Sequence, residues 1–173
     1  MTGEAAPRVR RVVALGWDYL LIVGWLALLA GAYLLGLGPV GRLTGAPLVV
    51  ADLVITGLTV LPVWAYLVVT EAGTAQATWG KRRARLIVTA AGGGRAGPVR
   101  IMIRNAVKLL PWELAHLAVL RFWTLEGDSV VAVPALVLCY ALVGVTVALM
   151  LLRRDRAALH DLVAGTRVVS RTC

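Results

Sequence analysis

The sequence predicts an all-α membrane protein: a compact bundle of four transmembrane helices with cytoplasmic N and C termini, the third helix being alternatively interfacial or re-entrant. Three observations carry this. The 173 residues are 60% hydrophobic and 16% charged, with a mean hydropathy of +0.82, so long runs nearly free of charge require a bilayer as solvent. Basic residues fall in blocks beside those runs, as the positive-inside rule demands. Finally, the charge distribution across the segments favours an even number of crossings.

The net charge of +9 would suit nucleic acid, but its juxtamembrane clustering fits anionic lipid headgroups at the cytoplasmic face, and no nucleic-acid partner is expected. Two cysteines, one inside an apolar run and one at the terminus, make neither a disulfide framework nor a metal site.

In chain order, residues 1–10 read as a basic cytoplasmic tail and 12–37 as the first span, about 39 Å long at 1.5 Å per residue. Asp18 lies within it. The basic leader and Ala30-Gly31-Ala32 resemble a secretory signal, but the run is too long and carries Asp18, so cleavage is not expected. Residues 36–47 form a Gly/Pro-rich external turn. The second span, 48–70, contains Asp52 near its outer end and Pro62 in its interior, where a kink is expected and a neighbour must satisfy the freed carbonyl.

Residues 71–100 form a cytoplasmic loop dense in Lys and Arg. Within it Arg85–Thr89 alternates weakly before Gly92-Gly93-Gly94, which suits a short extended segment and a turn. Residues 101–123 are long enough to cross yet hold Arg104, Lys108, Glu113 and His116. The span 129–152 is followed by a basic tail, 153–173, so a crossing at 101–123 keeps that tail cytoplasmic. Arg104 and Lys108 then snorkel toward the cytoplasmic end.

Six tryptophans tend toward segment ends as interfacial anchors, with Trp25 and Trp64 deeper, as packing residues. Ala27 with Gly31, and Gly144 with Ala148, place small residues four apart and suggest close helix approach, within the bundle or in a homo-oligomer.

The candidate site residues are charged groups at membrane depth. Arg11 and Asp18 share one face of the first helix. Buried, Asp18 is either a proton or cation site or one half of an ion pair with a base such as Arg104. Glu113 and His116, three apart, form either a proton relay or, if Pro111 breaks the segment, a wet interfacial pair. In the tail, Leu159, Leu162 and Val163 at helical spacing suggest an amphipathic helix on the headgroups, ended by Gly165. His160 and Asp161 lie within it, and the acid calls for a partner such as Arg11 or the Lys81 cluster. No catalytic constellation, cofactor motif or metal spacing is present, and no enzyme activity is expected.

Arg11 with Ala14 and Asp18, Thr78-Trp79-Gly80-Lys81, Arg104-Asn105, and His160-Asp161 with Ala164-Gly165-Thr166 together resemble the RDD family of small bacterial membrane proteins. The resemblance spans nearly the whole chain. Arg85 and Ile87 stand where the family shows a glycine and then an arginine, so the loop is expected to differ there. The resemblance implies a single helical domain over 1–173, a multi-pass place in the bacterial inner membrane, and involvement in transport of ill-defined ligands. The sequence leaves two functional readings: transport of an ion or small solute using Asp18 and a cytoplasmic cluster of Arg11, Lys81, Arg104 and Asp161, or a scaffold whose charges lock the fold.

Overall fold

The computed structural model describes residues 5–37, 46–124 and 129–171. Helix α1 (Arg8–Leu34) leads to α2 (Leu48–Ile55), a π-turn (Thr56–Val60) and α3 (Leu61–Ala72), which form one continuous rod. Then come α4 (Trp79–Arg83), β1 (Leu86–Ala90), α5 (Pro98–Thr124), α6 (Ser129–Leu152), α7 (Leu159–Ala164) and β2 (Thr166–Ser170). Among the described residues three helical stretches, Arg8–Leu34, Leu48–Ala72 and Val130–Leu152, are long and apolar enough to cross a membrane.

The burial pattern is that of a chain solvated by lipid. On α1 the buried residues are Arg11, Ala14, Asp18 and Ile22, spaced at three and four so that they form one stripe. Apolar side chains such as Val12, Leu20 and Leu28 face outward and are exposed. Polar inside and apolar outside is the arrangement a bilayer permits.

Pro62 determines the shape of the second rod. It lacks the N–H that would bond the Leu58 carbonyl, and the helix widens into the π-turn just before it. The Trp25 indole of α1 donates to that Leu58 carbonyl at 2.8 Å, supplying the neighbour the proline requires. Trp25 thus has a bonding role as well as a packing one.

Helix α5 runs through Pro111 without interruption, so of the two alternatives the break there does not occur: neighbouring helices hold it on both flanks. It lies beside the α2–α3 rod and is tied to it at both ends. Arg121 binds Asp52 through two hydrogen bonds, at 3.2 and 3.0 Å, and Arg104 binds Glu71 at 3.1 Å. Against α6 it packs Ala118 on Ala132 and Ala135.

The fold is not purely helical. β1 and β2 pair antiparallel, with Ile87 opposite Val169, and the Ala6 N–H donates to the Val168 carbonyl at 3.3 Å. The extended Arg85–Thr89 segment is therefore as read, but its partner lies in the tail. The tail correspondingly departs from the expected headgroup-bound helix: α7 is a short piece packed on α5, with Asp161 buried and only Leu162 and Val163 turned outward. Leu86, Val88, Ile101, Val168, Ala6 and Ala14 make the small core beneath this sheet. The N-terminal segment, the 71–100 loop and the tail thus meet at one end of the bundle.

Candidate functional site

At that end three buried carboxylates organise the charges. Asp161, third residue of α7, accepts from the Ala158 N–H at 3.3 Å and from the Thr166 hydroxyl at 3.1 Å, and Arg104 Nη1 bonds it directly. Arg11 Nη1 stands 3.9 Å away. The αL glycine Gly165, φ 61°, turns the chain so that Thr166 reaches back to Asp161. Burial alone would raise the Asp161 carboxyl, but Arg104 foremost, and Arg11, hold it below its usual value. Burial, aided by Arg104, pushes the His160 imidazole down to about 3 against the pull of Asp161, so that ring is neutral at neutral pH.

Glu71, at the end of α3, is the second node. It accepts from Lys81 Nζ at 2.7 Å, Arg104 Nε at 3.1 Å and Asn105 Nδ2 at 3.1 Å. Arg104 therefore bridges two carboxylates through different nitrogens, which its forked guanidinium permits and a lysine could not. Sequence reasoning missed Glu71. Its only signal was an acid beside a basic loop, ten residues before Lys81.

Asp18 is the third node, and here an expectation is corrected. Among the described residues it pairs neither with Arg104 nor with any other base; Thr78 Oγ1 donates at 2.6 Å, the Gly80 N–H at 2.8 Å and the Tyr66 hydroxyl at 3.1 Å. Arg104 is already committed to Glu71 and Asp161, and the first turn of α4 offers donors at closer range. Thr78 also accepts from the Lys81 N–H at 3.3 Å, capping α4. A Cβ at Gly80 would lie 2.1 Å from the Ala14 carbonyl oxygen and 2.9 Å from Asp18 Cγ, so only glycine lets α4 rest on α1. The Thr78-Trp79-Gly80-Lys81 run is thereby explained residue by residue. Trp79 meets Trp17 edge-on with ring centroids 5.3 Å apart, and the Arg83 guanidinium lies 4.7 Å from each ring centre.

Where the family glycine is replaced by Arg85, the chain still makes a left-handed turn. Arg85 itself adopts φ 56°, and its N–H bonds the Arg82 carbonyl at 3.1 Å.

Arg11, Asp18, Lys81, Arg104, His160 and Asp161 are thus brought together, with Ala14, Thr78, Gly80, Asn105, Gly165 and Thr166 around them. Asp161 does find Arg11, though Arg104 is its principal partner. Glu113 and His116 lie apart, further along α5. Thr56, in the π-turn, donates to Glu113 Oε1 at 2.5 Å, while Glu113 Oε2 is buried with no hydrogen-bond partner among the described residues. The Trp112 indole donates to His116 Nε2 at 3.0 Å. Since indole can only donate, the His116 proton sits on Nδ1, which is also buried and unpartnered.

Apolar spans, lipid-facing aliphatic side chains and polar groups turned inward define a helical membrane protein whose juxtamembrane segments are clasped by ion pairs. Within that class the chain belongs to the RDD family, whose model matches residues 5–165. No curated protein and no solved structure matches it.

Proposed function

We propose that the protein is a four-crossing inner-membrane protein that moves a proton or small cation, with Glu113 as the coupling carboxylate and the Arg11–Lys81–Glu71–Arg104–Asp161 clasp as its fixed frame. The observation that carries this is the unpartnered Glu113 Oε2 oxygen, buried beside a π-turn and a histidine with a free Nδ1. A carboxylate at membrane depth without a basic partner is costly to keep ionised unless a proton or cation meets it. π-turns recur at functional sites because they displace backbone groups from their regular partners. Thr56 fixes one carboxylate oxygen and leaves the other available. Asp18, by contrast, is saturated by three donors, which suits a structural role.

Closure of the chain supports four crossings. β1 precedes α5 and α6, β2 follows them, and the two strands pair. If α6 crosses, α5 must cross in the opposite sense to bring β2 back. The Asp52–Arg121 and Glu71–Arg104 pairs, holding α5 along the full length of the second rod, support the same reading. Four crossings without an inverted repeat are few for alternating access within one chain, so the transporting unit is a homo-oligomer. Gly31 and Gly144 suit such contact, because a Cβ at either would meet nothing within 4 Å.

A scaffold role is the second reading, favoured by the complete pairing of Arg104, Lys81, Glu71 and Asp161. The deciding experiment is flux in proteoliposomes under proton, sodium and potassium gradients. Wild-type flux that Glu113→Gln abolishes in a folded protein supports transport. Folded wild type with no flux under any gradient leaves the scaffold.

A further inference from the structure

A second feature stands independently of transport. Between α1 and α6, floored by α5, lies a laterally open cavity of about 690 Å³, within the range of roughly 300–1,000 Å³ typical of small-molecule sites. Its walls are apolar: Leu15 and Tyr19 of α1 and Val143 and Val147 of α6 line it, and all four are substantially exposed, so protein does not close it. Its cytoplasmic end is polar and is roofed by α7, with His160 and Asp161 in the lining. There α1 is stapled to α6 by Arg8, which donates to the Leu151 carbonyl at 2.7 Å.

Four cations line that end: Arg11, Lys81, Arg104 and Lys108. The first three are engaged by Asp161 and Glu71. Lys108 has no hydrogen bond or ion pair among the described residues, and Asp18 spends its oxygens on neutral donors. Three carboxylates, Asp18, Glu71 and Asp161, face four cations, which leaves one positive charge uncompensated, at the head of an apolar trough. An unpaired ammonium in such a place is stabilised by an anion.

We infer that this cavity binds a single-chain anionic amphiphile, a long-chain fatty acid, with its carboxylate on Lys108 and its chain running between α1 and α6. The trough follows α5 from Lys108 to Val119, about 16 Å at 1.5 Å per residue, a length suited to an acyl chain. The α7 roof and the Arg8 staple narrow the polar end of the trough, which suits a carboxylate better than the larger polar head of a phospholipid. The open side between α1 and α6 gives entry from the bilayer.

The test uses the purified full chain in nanodiscs of zwitterionic lipid, with oleate as probe and oleyl alcohol as its neutral counterpart, read by native mass spectrometry and thermal shift. Wild type is expected to retain one oleate, with a preference over the alcohol of about tenfold or more, as a charge-assisted bond in a sheltered site implies. Lys108→Gln should lose that preference and Lys108→Arg keep it. Val143→Trp, which fills the trough but leaves Lys108 in place, should lose both ligands and so guards against a folding defect at Lys108. No oleate retained by folded wild type, an undiminished preference in folded Lys108→Gln, or phosphatidylglycerol retained ahead of oleate would each overturn the inference. None of these readouts depends on ion flux.

Discussion

Replacing Glu71 by glutamine keeps the side chain's shape and removes its charge, at a position 1% exposed. Three donors converge on it: Lys81 Nζ at 2.7 Å, Arg104 Nε at 3.1 Å and Asn105 Nδ2 at 3.1 Å. In the variant one carboxylate oxygen becomes an amide that itself donates, so at least one cation faces a donor. Lys81 is then left without an anionic partner, and Arg104 keeps only Asp161. Breaking a buried pair by removing one partner costs about 3–5 kcal/mol, equivalent to about two to three and a half powers of ten in the folding constant. Reversible unfolding in mixed micelles should register the loss, while Glu71→Gln with Lys81→Met, which removes both members of the closest pair, should recover part of it. A Glu71→Gln variant within about 1 kcal/mol of wild type, which is the range of exposed ion pairs, would refute the view that this network holds the juxtamembrane segments together.

Further outcomes follow from other contacts. Trp25→Phe should cost about 1–3 kcal/mol by orphaning the Leu58 carbonyl, and Pro62→Ala, which restores a backbone N–H, should shrink that cost; additivity in the double-mutant cycle would contradict it. Arg85→Gly should be neutral or stabilising by up to about 1 kcal/mol, because φ 56° strains any side chain with a Cβ, whereas Arg85→Val should destabilise. Gly80→Ala should separate α4 from α1, detected as loss of protection of the Trp79–Arg83 amides in hydrogen exchange. Acid should destabilise the fold. The unfolded chain takes up the His160 proton near 6.5 and the folded chain only at about 3, so stability falls as pH drops through that window, and the lowered Asp161 carboxyl adds loss of the same sign further down. His160→Gln should flatten the upper part of that pH profile, measured by unfolding at stepped pH.

Composition and run length were enough to specify a membrane protein, because a chain so poor in charge has only lipid to face. Local chemistry also made single elements legible: the extended segment at 85–89, the helix stop at Gly165, and the need for a donor opposite Pro62. The shared face of Arg11 and Asp18 followed from helical period alone. Partner choice did not. Asp18 read as an ion-pair member because burial of a charge calls for a cation, yet three neutral donors brought in by the α4 turn satisfy it, and no spacing along the chain announces a backbone N–H. Glu71 escaped notice because it sits where an apolar run ends, a place where acids are usually solvated. Only the tertiary fold, by pairing β1 with β2 and swinging α7 onto α5, draws Glu71, Arg104 and Asp161 out of water together. It also decides which of the cations lining the trough lacks a hydrogen-bonded or ion-pair partner among the described residues: Arg11, Lys81 and Arg104 are claimed by Asp161 and Glu71, and Lys108 is left facing an apolar trough. The sequence determined the solvent and the polar stripe of each helix, which depend on neighbours along the chain. The pairing of charges depends on distances between segments far apart in sequence, and packing alone sets those.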